Sequence, residues 1–172
     1  MNYNDAMDAV AEGDVAALET LYEEFRYIVY SLALAIVRNH TVAEDILQET
    51  FLRVYEKAET YQTGTNLKAW IASIARNLAY DVLRREKKQI SGVMNESYNT
   101  IESLVVQRLE LTEALLRLGE AERQIVVLYL VAGLKHAEIS VLLSIPAGTV
   151  RWKYRQSLSR LAEMLGDDKH EE

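Results

Sequence analysis

Residues 41–61 read TVAEDILQETFLRVYEKAETY, and the spacing within this stretch decides the fold class. Ala43, Ile46, Leu47, Thr50, Phe51, Val54 and Ala58 recur at three- and four-residue intervals, the period that gathers side chains on one face of an α-helix. Thr41 at the N-cap position, with Glu44 three residues later, predicts a reciprocal capping box that satisfies orphan amides of the first turn. The opposite stripe carries Asp45, Gln48, Glu49, Leu52 and Glu56. A leucine inside an acidic and amide stripe suggests a surface that a partner protein covers. Taken alone, the same stripe also describes a solvated face with one stray leucine.

A short Gly and Thr loop at 61–65 separates this helix from a second one, NLKAWIASIARNLAYDVLRREKK at 66–88, which Asn66 is suited to cap. Leu67, Trp70, Ile71, Ile74, Leu78 and Val82 form its apolar stripe. Six basic residues (Lys68, Arg76, Arg84, Arg85, Lys87, Lys88) stand against two acidic ones (Asp81, Glu86), a local charge of +4. Asn77 and Tyr80 lie among these cations at helical spacing and supply hydrogen-bonding and stacking groups beside phosphate-seeking charge. That combination points to nucleic acid, although a basic helix end can also simply complement the helix dipole.

Further on, residues 120–132 read as an apolar helix stopped by Gly133. HAEISVLLSIPAGTVRWKYRQSLSRLAEML, at 136–165, then reads as helix, tight turn, helix, with Pro146 starting the second helix. Val150, Tyr154, Leu158, Leu161 and Leu165 are its expected buried stripe. Arg151, Lys153, Arg155 and Arg160 place four cations and no acid between Thr149 and Arg160, a pattern suited to a DNA major groove. The competing reading is a small helical hairpin with a charged exterior.

Composition narrows the class. The single proline lies in the turn and alternating apolar runs are few, so an all-α protein is expected. With 172 residues, the chain can hold two small helical domains: 1–88, a flexible polar linker at 89–100 (QISGVMNESYNT begins there), and a helix-turn-helix domain with an acidic tail at 101–172. A helix over 101–118 is expected to open the second domain. There is no cysteine, His40, His136 and His170 lack metal-ligand spacing, and no phosphate loop or nucleophile elbow occurs. Hence no catalytic residue, metal or cofactor is expected. No apolar run is long enough to span a membrane and no signal-peptide pattern appears, which implies a cytoplasmic protein. The net charge of −7 is unusual for a DNA binder, but the cations concentrate on two helices, so weak DNA binding by the free protein is expected.

The order AEDILQETFLRVY, loop, LKAWIASIARNLAYDVLRR, followed by the PAGTV turn and its basic helix, resembles extracytoplasmic-function (ECF) sigma factors, compact members of the sigma-70 family. The resemblance implies a promoter-recognition factor for RNA polymerase, with the polymerase doing all the catalysis. It implies that Asp45, Gln48, Glu49 and Leu52 contact the β′ clamp helices of core polymerase. Tyr61, Asn66, Asn77, Tyr80 and Arg84 would engage the −10 element, with one base flipped out of the stack. Arg151, Trp152, Lys153, Arg155 and Arg160 would engage the −35 element. Family members are commonly held by anti-sigma factors, and their linker threads near the polymerase active-site channel. Three positions depart from the family pattern: Lys135 where a Ser or Thr cap is usual, Trp152 in place of a small residue, and Gln156 in place of an arginine. The alternative is a stand-alone helix-turn-helix regulator, which leaves the stripe from Asp45 to Leu52 without a role.

Overall fold

The computed structural model describes residues 3–89 and 106–167, and every regular element among them is helical. The chain divides into two compact units, Met1–Ser91 and Gly92–Glu172. Most of the linker expected at 89–100 lies outside the described residues, as do 101–105 and the end of the acidic tail.

In the first unit, α1 (Tyr3–Ala11), α2 (Val15–Val37), α3 (His40–Glu56) and α4 (Leu67–Gln89) pack around a core that includes Leu21, Phe25, Val29, Leu32, Val54 and Ile71. Asp14 caps α2, accepting from the Ala16 amide at 2.8 Å. The start of α3 corrects the expected Thr41 cap. Asn39 is the N-cap, its side-chain oxygen accepting from the Val42 amide at 3.1 Å. Asn caps at least as well as Thr, and Arg38 turns the chain through a left-handed conformation (φ 57°) that ends α2 just before Asn39.

The core face of α3 is largely as expected, with Ala43, Ile46, Thr50, Phe51, Val54 and, just beyond the helix, Ala58 all buried, while Leu47, at the edge of that face, is only half-buried. Thr50 is tolerated there because its hydroxyl donates to the Ile46 carbonyl at 2.6 Å. Of the stripe of large residues expected on α4, Leu67 and Ile71 are buried, and the rest of the buried face turns toward small residues. Ala72, Ala75 and Ala79 are fully buried, whereas Trp70, Ile74, Leu78 and Val82 are only half-buried. Residues without bulk let α4 approach α2 and α3 closely, so alanines take the centre of the contact and larger side chains flank it.

The second unit consists of α5 (Val106–Arg117), α6 (Glu120–Leu130), α7 (His136–Leu143) and α8 (Ala147–Asp167). Gly133 follows α6 at φ +67°, letting the Leu134 amide reach back to the Leu128 carbonyl at 3.0 Å. Lys135, which cannot cap α7 with its side chain, is compensated by Glu138, whose carboxylate accepts from the Lys135 amide at 2.7 Å. Rings of Tyr129, His136 and Tyr154 tie α6, α7 and α8 together, with His136 stacked on Tyr129 at 4.6 Å and Tyr154 tilted against Tyr129 at 4.5 Å. Burial and the nearby Tyr129 raise the Tyr154 phenol above its ordinary pKa, so it stays neutral through the physiological range. The expected stripe of α8 needs one correction: Leu158 is exposed and Ser157 is buried in its place. Ser157 lies seven residues after Val150, closer to two full turns than Leu158 at eight, and its hydroxyl is satisfied by the Lys153 carbonyl at 2.7 Å.

Candidate functional site

The outer face of α3 assembles Asp45, Gln48, Glu49 and Leu52 at positions separated by three or four residues. Leu52 is 58% exposed on the face opposite the one that packs into the core, so it is not a core residue. Glu49 is half-buried and takes a hydrogen bond from Arg53 Nε at 2.9 Å, and Arg53 Nη1 reaches Glu56 at 3.1 Å. Arg53 thus offsets the acids at the C-terminal end of the face, while Asp45 is exposed at its other end. The residue periodicity did not single out Arg53, although its i,i+4 spacing to Glu49 was the available signal.

The loop between α3 and α4 is more built than its composition suggests. Tyr61 is only 7% exposed, its ring edge-on to Trp70 at 5.4 Å. Its hydroxyl lies 2.9 Å from Asn4 Oδ1 and 2.8 Å from the Thr65 carbonyl, so it has acceptors inside the protein. The Asn66 side-chain oxygen accepts from the Ala69 amide at 3.1 Å and caps α4, as the sequence indicates. Of the expected DNA-contacting residues, Tyr61 and Asn66 are therefore engaged in holding the loop and the helix start. Asn77, Tyr80 and Arg84 share one face of α4. Asn77 is exposed, Tyr80 lies under the Arg76 guanidinium at 4.8 Å, and Arg84 pairs with Asp81 while most of its side chain faces solvent. Asn66 and Asn77 are eleven residues, about three turns, apart, which puts them on the same side of the helix roughly 16 Å from one another.

In the second unit, α7, the turn at Ser144 and α8 form the helix-turn-helix. Ser144 takes a left-handed conformation (φ 55°), and the Ser140 hydroxyl donates to the Ile145 carbonyl at 2.6 Å. The Pro146 carbonyl accepts from the Val150 amide at 3.0 Å, so Pro146 sits at the edge of α8. Arg151, Trp152 and Arg155 are exposed on the first three turns, and Lys153 is half-buried with Nζ 5.8 Å from the Trp152 ring. Arg151 and Arg155, one turn apart, can reach neighbouring base edges together.

Arg160 differs. Its Nη1 lies 3.1 Å from Glu122 Oε2, pairing a half-exposed cation with a carboxylate whose side chain is 8% exposed. Glu122 also accepts from the Gly119 amide at 3.0 Å, and so fixes the start of α6 and the middle of α8 at once. Nothing in the spacing of Glu122 and Arg160, 38 residues apart, announced this pair. Among the described residues, no three or more His, Asp or Glu side chains converge as a metal site requires, and no helix is long and apolar enough to cross a membrane.

Residues 21–89 match the family model for Sigma-70 region 2, and residues 108–161 that for Sigma-70, region 4. The first span contains the α3 face and the basic face of α4, the second the helix-turn-helix through Arg160. The chain is 32% identical to RNA polymerase sigma factor CarQ of Myxococcus xanthus over 94% of its own length and 96% of the relative. It is 28% identical to ECF RNA polymerase sigma factor SigW of Bacillus subtilis, covering 92% of this chain and 94% of that one. In fold it is similar to the sigma factor RpoE from Bartonella quintana, solved in complex with the anti-sigma factor NepR, with a TM-score of 0.73 at 24% identity over 90% of this chain and 99% of that one. Two sigma-70 regions in order, on the helices that carry the exposed acidic and basic faces, make this chain an ECF sigma factor of the sigma-70 family, an alternative RNA polymerase subunit that directs promoter recognition and transcription initiation.

Proposed function

We propose that the α3 face, Asp45, Gln48, Glu49 and Leu52, docks on the β′ clamp helices of core polymerase. The observation that carries this is Leu52, a large apolar side chain left in solvent on a helix that packs its other face into the core. On α4, Asn77, Tyr80 and Arg84 engage the −10 element together with the exposed part of the loop. Tyr61 and Asn66 act there by holding that loop, since burial and existing hydrogen bonds occupy them. On α8, Arg151 and Arg155 read base edges of the −35 element, Trp152 packs beside them, and Lys153 contacts phosphate. Arg160 contributes charge while anchored to Glu122.

The chain itself performs no chemistry in this account; it places polymerase, which makes the RNA. It works where polymerase works, in the cytoplasm, and an anti-sigma factor is a further expected partner, as for the solved relative. A stand-alone regulator would use α8 and leave the α3 face idle. The test uses holoenzyme, because a net charge of −7 should weaken DNA binding by the free protein. Arg151→Ala and Arg155→Ala should each cost about 1–3 kcal/mol on the preferred upstream element and much less on a scrambled one. Equal losses on both DNAs would show that α8 does not read sequence.

A further inference from the structure

Helix α1 lies before the residues matched to Sigma-70 region 2, which begin at 21. Its nine residues are too few to form a stable helix alone, because isolated helices shorter than about 12–15 residues are marginal in water. Packing holds it: Ala6, Met7 and Val10 are almost fully buried, and the Tyr3 ring meets Phe25 edge-on at 5.2 Å. The outward side of α1 is specific in what it touches. Asn4 and Asp8, one turn apart on the same face, both reach the loop that joins α3 to α4. Asn4 Oδ1 lies 2.9 Å from the Tyr61 hydroxyl, and Asp8 Oδ1 accepts from the Thr63 hydroxyl at 2.8 Å, across 57 and 55 residues of sequence. Within the loop, Thr65 Oγ1 donates to the Gln62 carbonyl at 2.8 Å and Gly64 turns at φ +92°.

We infer that α1 is a positioning element for promoter opening, with Asn4 and Asp8 holding the loop at 61–66 in the conformation that receives unstacked bases. The inference rests on the proposed role of that loop at the −10 element. Asp8, an anion, is unsuited to touching DNA itself, and its acceptor oxygen is directed to Thr63. A loop tied at both ends but free in between must be ordered at a cost of roughly 1–2 kcal/mol per residue when a base enters, and ties present beforehand remove part of that cost from the binding step. The ties therefore favour strand capture without strengthening the hold on core polymerase.

The test uses holoenzyme and, as probe, the single-stranded DNA that it selects from a random-sequence pool. Asp8→Ala should weaken capture of that strand by about two- to tenfold, the span expected from one hydrogen bond, while affinity for core polymerase and for duplex upstream DNA stays unchanged. Asp8→Asn keeps an acceptor oxygen and should restore wild-type capture. Thr63→Ala should match Asp8→Ala, and the double variant should lose no more than either alone. Asn4→Ala should shift the fluorescence of Trp70, which packs on Tyr61, measured in the free protein with Trp152→Phe to remove the other tryptophan. Gly64→Val, strained at its positive φ, is the control for the loop itself. If Gly64→Val impairs capture but the Asp8 and Asn4 variants do not, or if Asp8→Asn fails to rescue, α1 is not the positioning element. If Gly64→Val also leaves capture intact, the loop's role at the −10 element falls first.

Discussion

Arg160 and Lys153 carry the same charge on the same helix, seven residues apart, yet of the two only Arg160 has an acidic partner among the described residues. Glu122 is nearly buried, so removing its counter-charge leaves a carboxylate with only the Gly119 amide to satisfy it. Arg160→Ala should therefore lower the stability of the second unit by about 1–3 kcal/mol, seen as a lower thermal midpoint of the free protein. Lys153→Ala should leave the midpoint almost unchanged, weaken holoenzyme on every promoter alike, and lower the magnitude of the salt slope by about one. If the two variants behave identically in both assays, the Glu122 pair has no structural weight. Charge counting along the sequence could not separate these residues, because the distinction lies in a contact between α6 and α8.

Among the elements, α3 and α4 set where sequence reading succeeds and where it stops. The face of α3 could be read directly, since bulky apolar residues and a polar stripe alternate at helical period; Leu52 is as exposed as the pattern implies. Asp45→Lys with Leu52→Ser should weaken core polymerase binding by about tenfold or more while helicity stays the same, as followed by gel filtration and circular dichroism. Unaltered complex formation would remove this face from the interface. The seam of α4 was legible only in part: Leu67 and Ile71 are buried as the pattern implies, but alanine is weakly apolar and a pattern weighted by large residues passes over Ala72, Ala75 and Ala79. Ala75→Leu should then destabilise the first unit by about 1–3 kcal/mol in denaturant unfolding, where a tolerant exposed site would show almost nothing. The same limit explains Ser157, a small polar residue buried because its hydroxyl is satisfied within α8. Neither the Asn39 cap nor the ties from α1 to the loop could be weighed from spacing: two adequate caps stood two residues apart, and the ties cross more than fifty residues.

At the scale of the whole molecule, a net charge of −7 and two basic helices belong to one design. Long-range repulsion from the acidic total should weaken DNA binding by the free chain, with the cations acting once polymerase supplies the rest of the attraction. The most direct measurement is to map RNA 5′ ends made on genomic DNA by core polymerase alone, with this protein, and with its Asp45→Lys, Leu52→Ser variant. The account predicts that the wild-type protein creates a discrete set of start sites sharing a two-part upstream element, and that the variant loses them. Start sites that do not depend on the protein, or that survive in full with the variant, would contradict it.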